Sequence, residues 1–93
     1  MGETHFHTPH QLMGWFRPGE PHDWETELNW IWSRDRAHTL KLMDRILRVG
    51  SIQVPVLLGP DRRVWDGHHR IAIALALDLK IPVQFAPYEK KNI

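Results

Sequence analysis

Residues 71–79 form a run that is apolar at every position except Asp78. A helix that is apolar on nearly all sides must be covered on most of them, so this segment has to lie inside the fold. Residues 63–66 before it and residues 81–85 after it are typical of strands, and we expect the crossover that contains the helix to be right-handed. The chain is therefore predicted to have an α/β (α+β) fold, a small mixed sheet flanked by helices.

The length of 93 residues limits the chain to one core, because a chain this short buries only about 60–65% of its unfolded surface. We therefore predict a single domain over residues 1–93, with an N-terminal segment 1–32, a core 33–85 and a polar tail 86–93. A net charge of +1 provides no global field for nucleic acid. The sequence has no cysteine, which excludes disulfides and thiol catalysis. It also lacks the features of a signal peptide or a membrane span, which predicts a cytoplasmic protein.

The N-terminal segment is predicted to begin with two short elements. Residues 4–8 alternate in character and suggest a strand. Thr8 followed by Pro9 is typical of a helix start, here for a helix over residues 10–15. Residues 17–22 hold two prolines and one glycine, which predicts a loop.

The middle of the chain is predicted to contain one amphipathic helix. Residues 23–32 carry three tryptophans and are consistent with either an ordered loop or a helical turn. Ser33 is a plausible N-cap for the helix, and Gly50 is a natural residue at its C-terminal end. The predicted apolar face, with spacings of three and four, consists of Ala37, Leu40, Met43, Ile46 and Leu47.

The two strands that follow are predicted to form a hairpin. Residues 52–58 are apolar and β-branched, although Pro55 confines them to an edge or a strand start. Residues 59–62 favour a turn, after which residues 63–66 form the second strand.

The segment Asp66-Gly67-His68-His69-Arg70 lies at the junction of a predicted strand and a predicted helix. The first turn of a helix has unpaired backbone N–H groups and the positive end of the helix dipole, which together favour anions. Gly67 lets an oxyanion approach the backbone, and Arg70 supplies a fork of donors suited to phosphate oxygens. His68 and His69 can add hydrogen bonds. We therefore predict that this corner binds phosphate.

Each of these residues also has a structural interpretation. Asp66 either caps the helix or serves Mg²⁺ or a substrate hydroxyl. Gly67 is needed either for a positive φ or for phosphate approach. Adjacent histidines point to different sides of a helix start, and we favour His69 over His68 as the one that faces a ligand. Arg70 is unfavourable near the positive end of the dipole unless it serves an anion.

The order of motifs over residues 33–85 resembles the core of the ParB/sulfiredoxin superfamily. In that family a helix ending in glycine leads to a Pro-Val strand, then to a strand that runs into a glycine, a polar triplet ending in arginine, and an alanine-rich helix. The positions that match this pattern here are Gly67, Arg70, Ala72, Ala74 and Pro82. The resemblance implies a nucleotide such as ATP or CTP with Mg²⁺, bound by Gly67, His68, His69 and Arg70, with Asp66 at the metal.

Differences between this sequence and the family's pattern limit which of the family's activities we expect here. Sulfiredoxin has a cysteine where this chain has His68, so we do not expect its repair reaction. Chromosome-partitioning ParB has glutamate and arginine at the positions of His68 and His69 and a helix-turn-helix domain beyond, which weakens the case for CTP hydrolysis and specific DNA recognition. The Asp-Gly-His-x-Arg form is also similar to that of free-serine kinases. A stand-alone domain of this kind is similar to phage or mobile-element proteins.

Three functions remain open at this stage. The first is a minimal ParB-like domain that binds a nucleotide or other phosphate in DNA-related phage or plasmid biology. The second is a metal-dependent nuclease or small phosphotransferase, with Asp66 and His69 as catalytic residues and a second carboxylate from Glu25 or Glu27. The third is an interaction module with a vestigial phosphate site, in which the tryptophan-rich segment contacts a host protein or a second copy of the chain.

Other clusters give weaker indications. A metal site at His5, His7 and His10 would need a fourth ligand, so a solvated arm is the better interpretation. Tryptophans 24, 30 and 32 either stack a base or pack over the long helix. The tryptophan excess predicts that at least two of Trp15, Trp24, Trp30 and Trp32 are exposed. Arg62 and Arg63 lie in the predicted hairpin, where they could contact a nucleic-acid backbone.

Overall fold

A computed structural model describes residues 4–86 of the chain. The predicted polar tail, apart from Ala86, lies outside these residues. The described elements are β1 (His5–His7), α1 (Pro9–Trp15), α2 (Trp24–Ser33), α3 (Arg36–Val49), β2 (Val56–Leu58), β3 (Val64–Asp66), α4 (His68–Leu77) and β4 (Ile81–Phe85).

The described strands form one mixed sheet with the order β1-β4-β2-β3. The two central strands, β2 and β4, are parallel, and Val56 is opposite Val83. Both outer strands are antiparallel to their neighbours, β1 to β4 and β3 to β2. The predicted α/β (α+β) class, with a mixed sheet and a hairpin between β2 and β3, is confirmed.

The apolar run forms α4, and it lies in the centre of the core. Four consecutive residues in the middle of the helix, 71–74, are at most 1% exposed, so the helix is covered on all sides there. Fully burying an isoleucine contributes about 1.5–3 kcal/mol, which makes Ile71 and Ile73 major contributors to stability. The residues around them in the core are Leu12, Ile46, Ile52, Val56, Leu58, Val64, Ile81 and Val83.

The start of α1 agrees with its predicted signals. The Thr8 hydroxyl accepts a hydrogen bond from the Gln11 backbone N–H, and the Gln11 side chain accepts one from the Thr8 N–H. This reciprocal pair is a capping box, and Pro9 follows it at the first helical position.

The strand predicted over residues 52–58 is shorter in the structure. Only Val56–Leu58 forms strand β2, because Pro55 has no N–H with which to extend the ladder. Ile52 is nonetheless buried, so the apolar character of this segment comes from tertiary packing.

The prediction that Ser33 begins the long helix is wrong. Most of residues 23–32 belong to a regular helix, α2 (Trp24–Ser33), which Asp23 caps by accepting a bond from the Thr26 N–H with its carboxylate. Ser33 is the last residue of that helix, and its hydroxyl donates back to the Asn29 carbonyl. The long helix α3 begins at Arg36, after the N-cap position held by Asp35.

The predicted apolar face of α3 is also only partly correct. Ala37, Leu40 and Leu47 are exposed, whereas Thr39 and Ile46 are buried and Leu42 and Met43 are half-buried. The Thr39 hydroxyl donates to the Ile31 and Asp35 carbonyls, which attaches this side of α3 to α2. The helix ends at Gly50 with φ of 92°, as predicted.

Candidate functional site

The corner predicted from residues 66–70 is present between β3 and α4. Strand β3 ends at Asp66, and α4 begins at His68. Gly67 between them has φ of 116°, in the left-handed region that favours glycine. A Cβ atom there would lie 2.7 Å from Val56 Cγ2, so Gly67 also allows the corner to pack against the central strand β2.

The N-terminus of α4 has no side-chain cap. Within residues 4–86, no acceptor meets the backbone N–H groups of His68, His69 or Arg70. The alternative in which Asp66 only caps the helix is therefore wrong: its side chain is 74% exposed, and its Oδ2 lies 3.5 Å from Arg70 Nη2. The first turn consequently has unpaired donors and the positive end of the helix dipole.

Arg70 lies in the first turn with a side chain only 15% exposed. Its Nη2 donates to the Pro55 carbonyl over 3.2 Å, which holds the guanidinium against the entry to β2. Its Nε is buried, and no described residue bonds to it. A buried, unpaired donor on a permanent cation is costly, so a movement of the guanidinium that brought this N–H to a bound anion would be favourable.

His68 is engaged by the protein. Its Nε2 accepts a hydrogen bond of 2.9 Å from the Gly19 N–H, so this ring nitrogen carries no proton. Burial lowers the pKa of His68, against the opposing effect of Glu27. His68 is thus a neutral ring that attaches the loop after α1 to the start of α4.

His69 has a carboxylate partner that the sequence did not reveal. Its Nε2 lies 2.7 Å from Oδ2 of Asp35, and both side chains are partly exposed. The ring also contacts His38 edge to face, with centroids 5.2 Å apart. Asp35 comes from the α2–α3 junction, far away in sequence, and no local pattern links it to His69. A histidine oriented by a carboxylate is a recurrent arrangement for general bases.

Glu25 and Glu27 were the predicted sources of a second carboxylate. Glu25 is exposed, whereas Glu27 is buried and bonded to His22. The carboxylate that contacts a histidine of the corner is instead Asp35, which is bonded to His69. Over residues 4–86, no three His, Asp or Glu side chains are grouped in a way that could hold a metal ion. His5, His7 and His10 do not form such a group among the described residues, and Asp66 remains the residue predicted to meet Mg²⁺.

The four tryptophans of the N-terminal segment divide into two groups by their exposure. Trp15 and Trp30 are about half exposed, at 49% and 48%. Trp24 and Trp32 are partly buried and pack against the core. The prediction that at least two of these four side chains are exposed is confirmed.

No protein-family model matches the chain, and neither does any curated protein or solved structure. In the described part of the chain, no helix combines the length and apolar character that a membrane span requires. The functional assignment therefore depends on the residues of this chain.

Proposed function

We propose that the chain binds a phosphate group, carried by a nucleotide, at the corner formed by residues 66–70. The observation that carries the proposal is the open first turn of α4 beside Arg70, whose Nε is buried without a partner. The backbone N–H groups and the guanidinium are donors of the kind that phosphate oxygens accept. The family resemblance of the same residues supports a nucleotide as the source of the phosphate.

The proposal includes a metal ion because of the position of Asp66. Its exposed carboxylate lies at the entrance to the corner, where it would repel an unaccompanied phosphate. Asp66 would hold a Mg²⁺ ion, whose charge would offset that repulsion, and carboxylate and phosphate oxygens are ligands that Mg²⁺ prefers. We therefore propose ATP or CTP with Mg²⁺ as the ligand, and binding that weakens when the metal is chelated.

The structure changes the role assigned to His68. Its Nε2 is already bonded to Gly19, and its burial disfavours the protonated form. The proposed ligand contacts are therefore the backbone N–H of His68, together with those of His69 and Arg70, and the Arg70 guanidinium. Gly67 provides the backbone turn that exposes these groups.

Calorimetry with ATP, CTP and inorganic phosphate, each with and without Mg²⁺, tests the proposal. Arg70→Ala removes a charge-assisted contact of about 1.5–3 kcal/mol, so affinity should fall roughly tenfold to a hundredfold. Arg70→Lys keeps the charge but loses the fork, and it should recover only part of the affinity. Arg48→Ala is the matched control, because Arg48 is an exposed cation paired with Asp44 on α3.

Two results would refute phosphate binding at this corner. One is the absence of heat at millimolar ligand with the unmodified protein. The other is an equal loss of affinity in Arg70→Ala and Arg48→Ala.

A second candidate function is hydrolysis or phosphoryl transfer, and the Asp35–His69 hydrogen bond favours it. Asp35 fixes the ring through Nε2, which leaves Nδ1 to take a proton from a water or a substrate hydroxyl. Asp66 would hold the metal. In this case Asp35→Asn and Asp66→Asn should retain nucleotide while phosphate release falls. If the unmodified protein releases no phosphate and cuts no nucleic acid, the corner is a binding site only.

A further inference from the structure

A concave site separate from the corner lies around the loop whose Gly19 N–H is bonded to His68. It is a groove of about 890 Å³ between the end of α1, residues 17–24 and the turn of the β2–β3 hairpin. Aromatic rings and guanidinium groups together line it. The main contributors are Trp15, Phe16, Trp24, Arg17, Arg62 and Arg63.

Backbone hydrogen bonds hold the walls of this groove in place. The Arg17 N–H donates to the Arg62 carbonyl over 2.9 Å, and the Val64 N–H donates to the Arg17 carbonyl over 2.8 Å. Arg63 Nη1 donates to the Pro18 carbonyl over 2.9 Å. Arg17 and Pro18, at the start of the segment after α1, are therefore attached to the hairpin, so this wall of the groove is held in place before any ligand binds.

The lining of the groove holds three guanidinium groups and two carboxylates, so its formal charge is positive by one. Within residues 4–86, nothing accepts a hydrogen bond or forms an ion pair with the side chains of Arg17 and Arg62. Each of the two carboxylates accepts a hydrogen bond from a neutral donor and keeps its negative charge: Asp23 accepts from the Thr26 N–H, and Asp61 accepts from Trp65 Nε1–H. Arg62 has φ of 64°, an uncommon conformation for a residue with a side chain.

The rings provide the other half of the site. Trp15 is half exposed and is supported from one side by the edge contact with His7, with centroids 5.2 Å apart. Trp24 is fixed because its Nε1 donates to the Phe16 carbonyl over 2.8 Å. An exposed indole beside unpaired guanidinium groups matches the two parts of a nucleotide unit, a flat base and an anionic phosphate.

We propose that this groove binds single-stranded nucleic acid, with a base stacked on Trp15 and the adjoining phosphates paired with Arg17 and Arg62. A single strand fits better than a duplex, because the faces of paired bases are covered by their neighbours in the stack. It also fits better than an acidic peptide, which would engage the guanidinium groups but has no need of the exposed indole. The site shares no lining residue with the corner at residues 66–70.

Fluorescence anisotropy of a labelled oligothymidylate, titrated with the full chain, tests the stacking contact. Trp15→Ala should weaken binding about 5-fold to 150-fold, the range for loss of one stacked base. Trp15→Phe keeps an aromatic face and should recover part of the affinity. Trp30→Ala is the matched control, because Trp30 is equally exposed on α2 and lies outside the groove.

The salt dependence of the same titration tests the phosphate contacts. The slope of log K against log [salt] should become shallower by about 0.7 for each phosphate contact removed, in Arg17→Gln and in Arg62→Gly. The glycine variant also suits the positive φ at this position, so its effect on binding is not a folding defect. Arg48→Gln, on the exposed side of α3, should leave the slope unchanged.

Four results would overturn the proposal. The first is no binding of the oligonucleotide at low salt, and the second is tighter binding of the matching duplex. The third is displacement of the labelled oligonucleotide by an acidic peptide at lower concentration than by unlabelled single strand. The fourth is an equal loss of affinity in Trp15→Ala and Trp30→Ala. Circular dichroism of each variant separates loss of binding from loss of the fold.

Discussion

Replacing Gly67 by alanine tests how the corner is built, and Gly50 offers a matched control. Both glycines have positive φ, 116° at Gly67 and 92° at Gly50. They differ in their surroundings. An alanine Cβ at position 50 would meet no heavy atom within 4 Å, whereas at position 67 it would lie 2.7 Å from Val56 Cγ2 and 3.2 Å from Val56 Cα.

The expected losses of stability have two causes, the positive φ and the contact of the new Cβ atom with Val56. The left-handed conformation costs a residue with a Cβ about 1–2 kcal/mol, and this term applies at both positions. Overpacking adds about 1–3 kcal/mol at position 67 only, because Val56 belongs to a central strand and its backbone cannot move aside. Gly50→Ala should therefore lower the free energy of unfolding by about 1–2 kcal/mol, and Gly67→Ala by about 2–5 kcal/mol.

Urea unfolding followed by tryptophan fluorescence measures both losses, provided that the slope m stays constant. Val56→Ala should be less damaging in the Gly67→Ala background than in the unmodified protein, because it removes the overlapping methyl group. Equal losses for the two glycine variants, or strictly additive effects of Gly67→Ala and Val56→Ala, would refute the packing argument.

Two further predictions concern hydrogen bonds made by single side chains, one at the corner and one between α3 and α2. Burial lowers the pKa of His68, so the unfolded chain binds a proton at this residue more readily than the folded protein does. The free energy of unfolding should therefore rise with pH between the lowered pKa and the ordinary one. The protein should accordingly be less stable in acid. His68→Gln retains an acceptor for the Gly19 N–H and should reduce that pH dependence in urea titrations at several pH values, and an unchanged dependence would contradict the assignment. Thr39→Val leaves the Ile31 and Asp35 carbonyls without their hydroxyl donor and should cost about 1–3 kcal/mol, whereas Thr39→Ser should cost less; equal losses in thermal or urea unfolding would argue against the hydrogen bonds.

Local sequence signals determined most of the elements. Thr8 and Pro9 start α1, Gly50 ends α3, and the apolar run becomes the buried helix α4. These features depend on neighbouring residues alone: a cap, a fixed or positive φ, and apolar character on every side. The position of the corner at Gly67 could be predicted for the same reason.

The face that α3 presents to the core was decided by tertiary structure. Leu40 and Leu47 are more apolar than Thr39, yet they are exposed and Thr39 is fully buried. The reason is the hydroxyl of Thr39, which donates to carbonyls of α2 and of the α2–α3 junction. Periodicity alone gives this hydrogen bond no weight, so it predicts a face rotated from the true one.

The features of the corner likewise divide into those set by local sequence and those set by the tertiary structure. The sequence determined that Gly67 and Arg70 share a strand-to-helix turn, since both are local to it. Only the fold decided that His68 is bonded to Gly19 and that His69 is bonded to Asp35, because these partners are 49 and 34 residues away. Contacts at such separations depend on how α2 and the loop after α1 pack over α4, and no spacing within the sequence encodes that packing.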